Sequence, residues 1–79
     1  MGSGVRRLAD IWRMLDVCLP GYRRQLKLHR YWVTHSGRTY RGLPKGSHGS
    51  TNPEIHVSHI RRLAAFFNIV ACAERELGH

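Results

Sequence analysis

A change of hydrophobic period at Pro20 and Gly21 constrains this chain more than any other feature. Before it, Val5, Leu8, Ile11, Trp12 and Leu15 recur at three- and four-residue steps, the spacing of one helical face. Arg6, Arg7, Asp10, Arg13 and Asp16 fall mainly off that stripe. The pattern predicts a helix over 5–18, with Ser3 as its cap and the Pro-Gly pair as its stop. After the pair the period shortens to two. Residues 25–34 (QLKLHRYWVT) are rich in aromatic and β-branched side chains. Alternation places His29, Tyr31 and Val33 on one face and Arg30 and Trp32 on the other. His35, Ser36 and Gly37 have turn chemistry, and residues 38–43 (RTYRGL) resume an extended pattern, which predicts a β-hairpin. A further short strand fits near 22–24.

Residues 44–53 (PKGSHGSTNP) read as a loop from their composition, and 54–57 as a brief extended piece. Ser58 then has the character of an N-cap for a helix carrying Ile60, Leu63, Ala64 and Phe67 at helical spacing. Asn68 interrupts it, and residues 70–77 continue as a second short helix closed by Gly78. The expected fold is α+β: a helix, a two- or three-stranded antiparallel sheet and a helix, with a short extra C-terminal helix. Packing the helices on one face of the sheet would bury both apolar stripes together. Seventy-nine residues make a single domain over 1–79, in which residues 1–4 (MGSG) carry no structural weight. So small a chain buries only a thin core, and a homodimer or a tight partner would add to its stability.

Thirteen Lys and Arg against five Asp and Glu give a net charge of +8 at pH 7, and the excess is unevenly placed. Residues 22–53 contain no acid at all, yet hold Arg23, Arg24, Lys27, Arg30, Arg38, Arg41 and Lys45. His29, His35 and His48 lie in the same stretch, with Tyr22, Tyr31, Trp32 and Tyr40 interleaved. On a sheet, cations bind phosphates while aromatic rings stack on exposed bases. The stretch therefore predicts a surface for RNA, with DNA as an alternative ligand; the plainer alternative is a solvated face of a protein that is merely basic. Arg61 and Arg62, at the start of the second helix, extend the positive field.

Several function classes fall away. Glu54 is the only acid between Asp16 and Glu74, which leaves no carboxylate pair for acid–base work. His56 and His59 are three residues apart with no third ligand fixed by spacing, so no metal is expected. The glycines at 37, 42, 46 and 49 sit in turns and form no phosphate-cradling signature, so no cofactor is expected either. No segment approaches the ~20 apolar residues that span a bilayer. No signal-peptide h-region is present, which together predicts a cytoplasmic protein without a membrane. Cys18 and Cys72 stand in apolar helical patterns without a CxxC, which predicts reduced thiols in the core.

What remains is histidine beside lysine and arginine, a set suited to metal-free RNA cleavage. That reaction needs a base for the 2′-hydroxyl, an acid for the leaving oxygen and cations for the phosphorane. His29, read on a strand between Lys27 and Arg30, is the candidate proton carrier. Its alternative role is a sheet histidine bonded to backbone. His48 is either a second proton carrier or an ordinary loop residue. Lys27, Arg30, Arg38, Arg41, Lys45, Arg61 and Arg62 are the candidate phosphate-binding residues.

The order of elements and several local patterns resemble the HicA family of toxin ribonucleases from bacterial toxin–antitoxin pairs. Residues 28–33 (LHRYWV) are similar to the family's strand with the active histidine, and 37–44 (GRTYRGLP) to its turn and next strand. His48 is similar to the following histidine, and 59–69 (HIRRLAAFFNI) to the closing helix. Lys27 and Leu28 stand where the family has Gly-Ser, and Asn68 where Gly is usual. The resemblance covers 5–69 and implies a fold like the double-stranded-RNA-binding domain. It further implies a metal-independent endoribonuclease using His29, supported by His48, and an acidic antitoxin-like protein partner on the positive face. Two other functions fit the same residues: a non-catalytic nucleic-acid-binding regulator, and an adaptor docking an acidic protein.

Overall fold

The computed structural model describes residues 4–46 and 51–78; Ser3 and His48 lie outside the described residues. The fold is α+β. Its elements run β1 (Val5–Arg7), α1 (Leu8–Cys18), β2 (Arg23–Lys27), β3 (Arg30–His35), β4 (Arg38–Pro44), β5 (Glu54–His56), α2 (Val57–Phe66) and α3 (Val70–Leu77). A three-stranded antiparallel sheet has the order β2-β3-β4, and β1 pairs with β5 in a second, two-stranded one.

That second sheet corrects the expected start of the first helix. Val5, Arg6 and Arg7 pair with His56, Ile55 and Glu54 instead of forming a helical turn. Backbone bonds extend the ladder at both ends, from Val57 N–H to the Gly4 carbonyl and from Leu8 N–H to the Pro53 carbonyl, each 2.9 Å. The Asn52 side-chain oxygen accepts from the Ala9 N–H at 2.8 Å, so a residue 43 positions away satisfies a free donor of α1. No local pattern records a cap supplied at such a distance.

The start of α2 also differs from expectation. His56, not Ser58, is its N-cap, and the His56 Nδ1 accepts from the Ser58 N–H at 3.1 Å. At its other end Asn68 interrupts the helix as expected, with a left-handed φ of +57°. Asn68 N–H bonds the Ala65 carbonyl and Ile69 N–H the Ala64 carbonyl, the paired reversal of a Schellman end. Asparagine tolerates this conformation better than other residues with a Cβ.

The reversal at Asn68 sets α3 against α1, and here a second expectation fails. Cys18 and Cys72 are not separate thiols; they form a disulfide, with Cα atoms 5.8 Å apart. Both residues do sit in helices, but only the bend at Asn68 brings them within bonding range, across 54 positions of sequence.

The core is one cluster in which Ile11, Met14 and Leu15 of α1 meet Val33 and Leu43 of the sheet, Ile55 of β5, and Ile60 and Leu63 of α2. Burying each such side chain contributes about 1.5–3 kcal/mol before entropy is counted. On the sheet, Tyr31 meets Trp12 edge-on at 5.0 Å and Tyr40 lies 5.4 Å from Phe66, so both tyrosines face the helices. The alternation read from the sequence holds for Tyr31, Val33 and Trp32. Tyr31 pairs with Leu43 but Val33 with Tyr40, so Arg41 and Gly42 together oppose Trp32 in a β-bulge. A Cβ at Gly42 would lie 3.0 Å from the Tyr40 hydroxyl, which keeps that bulge position small.

Candidate nucleic-acid interface

Trp32 organises the face of the sheet turned away from the helices. The Lys27 ammonium and the Arg41 guanidinium each lie 4.8 Å from its ring centroid. Arg41 reaches the ring because the bulge re-aims it; Lys27 is set two residues beyond Gln25, the partner of Trp32 on β2. Arg23, Arg24, Gln25 and Thr34 line a shallow cleft beside the same indole. The strands and their turns carry no acid, so these cations have no carboxylate competing for them within the sheet.

His29 is not on a strand. Lys27 pairs with Arg30, which makes Leu28 and His29 the two central residues of the β2–β3 turn. Both have left-handed backbones, with φ of +52° and +62°. Such a turn twists correctly for a hairpin but ordinarily takes Asn-Gly. The run QLKLHRYWVT holds no Gly, Asn, Asp or Pro to mark a reversal, so alternation reads straight through it. The tip is exposed, with Leu28 at 83%. Around it, Leu28, His29, Arg30, Pro44, Lys45 and Gly46 line an open cleft.

The remaining expected cations do not share one surface. Arg38 stacks on Phe66 at 4.3 Å, on the helix side of the sheet. Arg62 acts electrostatically on Tyr40 and His59. Arg61 lines a different groove, between α2 and α3, with Glu74. The seven residues thus divide into Lys27 and Arg41 at Trp32, Arg30 and Lys45 at the hairpin tip, and three elsewhere. Expecting several stacking aromatics on the sheet also needs correction, since Tyr31 and Tyr40 pack inward and Trp32 alone is set among the outer cations. Arg23, which the sequence places in the acid-free stretch, belongs beside Trp32 as well, whereas Arg24, the partner of buried Val33, turns its guanidinium to Trp12 on the helix side.

His35, His56 and His59 have evident structural surroundings. His35 Nε2 is 3.1 Å from the Pro20 carbonyl and its ring meets Phe67 edge-on. His56 caps α2. Burial, then the Arg62, His56 and Arg30 charges, hold the His59 imidazole below its ordinary pKa. Burial likewise raises the Tyr40 phenol, against the opposing pull of Arg62 and Arg30. Among the described residues, no three His, Cys, Asp or Glu side chains converge as a metal would require, and no helix is long and apolar enough to cross a membrane.

Compared with protein-family models, curated proteins and solved structures, the chain matches none of them.

Proposed function

We propose that this chain binds single-stranded RNA on the outer face of β2-β3-β4. The observation that carries the reading is Trp32, flanked by Lys27 and Arg41 on an acid-free sheet. A base stacks on the indole while the two cations move to the adjoining phosphates; stacking on an aromatic is sequence-tolerant and worth about 1–3 kcal/mol per base. Arg23, beside the same ring, supplies a third phosphate contact. An acidic protein partner of the antitoxin kind would be drawn to the same face and would compete with RNA for it.

The test is a salt titration with a labelled single-stranded RNA. Three phosphate contacts give a slope of about −2 in log affinity against log salt. Lys27→Ala and Arg41→Ala should each reduce that slope, and Trp32→Ala should weaken binding at every salt concentration. Binding indifferent to all three substitutions would remove the outer face from consideration.

A second reading, cleavage, is favoured by one observation: His29 shares the tip cleft with Arg30 and Lys45, a proton carrier beside two cations. This is the HicA-like activity, and acting on cytoplasmic RNA would set the Cys18–Cys72 bond in a reducing compartment, where such bonds are rare. RNA incubated in EDTA with the wild type and with His29→Ala separates it from binding. Loss of cleavage with binding retained supports the nuclease, and equal binding with no cleavage by either protein leaves a regulator.

A further inference from the structure

The second tryptophan lies across β2 from the first. Trp12, Arg13, Asp16, Tyr22 and Arg24 line a cleft of about 450 Å³ between α1 and β2. The Trp12 and Tyr22 rings are 17° from parallel, with centroids 6.3 Å apart, and Tyr31 stands edge-on behind Trp12. The Arg24 guanidinium lies 4.3 Å from the Trp12 centroid and donates to the Tyr22 hydroxyl at 3.2 Å. A flat, hydrogen-bonding group therefore already stacks where a nucleobase would.

The polar groups of this cleft have a definite pattern. Asp16 is the one acid lining it, while the Tyr22 hydroxyl and Arg13, which also pairs with Asp10 at 3.2 Å, remain as donors once Arg24 leaves the cleft. Guanine is the base that matches, since N1–H and the N2 amino group form adjacent donors for a carboxylate, and O6 and N7 accept from arginine. Arg24 stands on the exposed edge strand β2 between Arg23 and Gln25, which flank Trp32 on the opposite face, so a strand one residue wide separates the two tryptophan sites. We infer that the Trp12 cleft is a second base site, taking a guanine from a single-stranded RNA whose neighbouring nucleotides lie on the outer face. The inference rests on the RNA-binding reading above and is independent of cleavage by His29. On binding, guanine replaces the Arg24 guanidinium over Trp12, and Arg24 turns to the phosphate linking the two sites.

Because the chain has two tryptophans, each can be made the sole fluorophore. Trp32→Phe leaves Trp12 as reporter, Trp12→Phe leaves Trp32, and both retain an aromatic ring. The probes are the pentanucleotides UUGUU and UUUUU, titrated by fluorescence and by anisotropy of an end label. Trp12 should be quenched by UUGUU and not by UUUUU. The wild type should prefer UUGUU about fivefold or more, the lower bound for one bidentate base contact. Asp16→Ala, on an exposed helical position, should abolish that ratio, whatever it does to overall affinity. Equal affinity for the two oligonucleotides, or a preference that survives Asp16→Ala, overturns the guanine site. A silent Trp12 beside a quenched Trp32 overturns it while leaving the outer face intact. If neither oligonucleotide binds at low salt, the RNA reading fails and the second site fails with it.

Discussion

Reduction of the Cys18–Cys72 bond should weaken this fold more than any single surface substitution. The two cysteines are 54 positions apart, and closing a loop of that length removes about 4 kcal/mol of chain entropy from the unfolded state. A domain of 79 residues has about 4–12 kcal/mol in total, so the bond supplies a third or more of its stability. Besides the bond, α3 is held by buried Ala73, by Leu77 packed against the core and by the Arg6 Nε, which donates to the Leu77 carbonyl at 3.0 Å. The measurement is urea unfolding followed by far-UV circular dichroism, with and without reductant, on the wild type and on Cys18→Ser and Cys72→Ser. With a urea slope of about 1 kcal/mol/M for so small a protein, the midpoint should fall by about 4 M or the reduced fold should be lost outright. The double serine variant should be no weaker than the weaker single, since one bond is lost in every case. Coincident curves in the two redox states, or serine losses that simply add, would refute the argument and return the cysteines to independent core thiols.

Three further outcomes follow from particular residues. Gly46 has a φ of +88°, and a Cβ there would lie 2.4 Å from the Pro53 ring; Gly46→Ala should cost about 2–4 kcal/mol, seen as a fall of about 10 °C or more in Tm. Replacing Leu28 and His29 with Asn and Gly should raise the urea midpoint, because each left-handed residue with a Cβ costs about 1–2 kcal/mol and Leu28 buries little. The His59 imidazole has a folded pKa below its ordinary 6.5, so the unfolded chain binds more protons as pH falls. Its contribution is complete above pH 6.5 and is lost as pH drops through the folded value; His59→Gln should flatten that part of the stability–pH curve, and an unchanged slope would rule His59 out as its source.

Elements whose preference is local could be read from the sequence. The apolar stripe of α1 from Leu8 onward, the Ser36-Gly37 turn and the break at Asn68 each depend on residues within a few positions of one another, and each stands where expected. What escaped depends on distant partners. Val5, Arg6 and Arg7 continue a helical pattern, and only the approach of β5 makes them a strand. The Asn52 cap on α1 and the Cys18–Cys72 bond need the whole fold before their atoms meet. The same distinction separates the site residues. Lys27, Trp32 and Arg41 share a surface because period and bulge set them there, whereas Arg38, equally basic, turns from β4 onto Phe66 and Arg61 is carried away on α2.

The two ends of β3 carry the same argument into function. Both are joined to neighbouring strands by two-residue turns with left-handed backbones, Leu28-His29 at one end and Ser36-Gly37 at the other. Ser-Gly puts glycine, which has no Cβ to clash, at the more strained position, with a φ of +81°. Leu-His does the opposite, placing two unfavourable residues in an exposed tip where substitution would be easy. Local strain that persists on a surface is most readily understood where the side chains themselves are needed. The tip displays an imidazole beside Arg30 and Lys45 and an almost fully exposed leucine, neither of which Asn-Gly could provide. The RNA site proposed at Trp32 would need nothing from the tip, and it does not explain why the tip keeps Leu28 and His29. If the Asn-Gly variant gains stability and binds and processes RNA as the wild type does, the strain has no role there. If it gains stability while losing an RNA-directed activity, the hairpin tip belongs to the site.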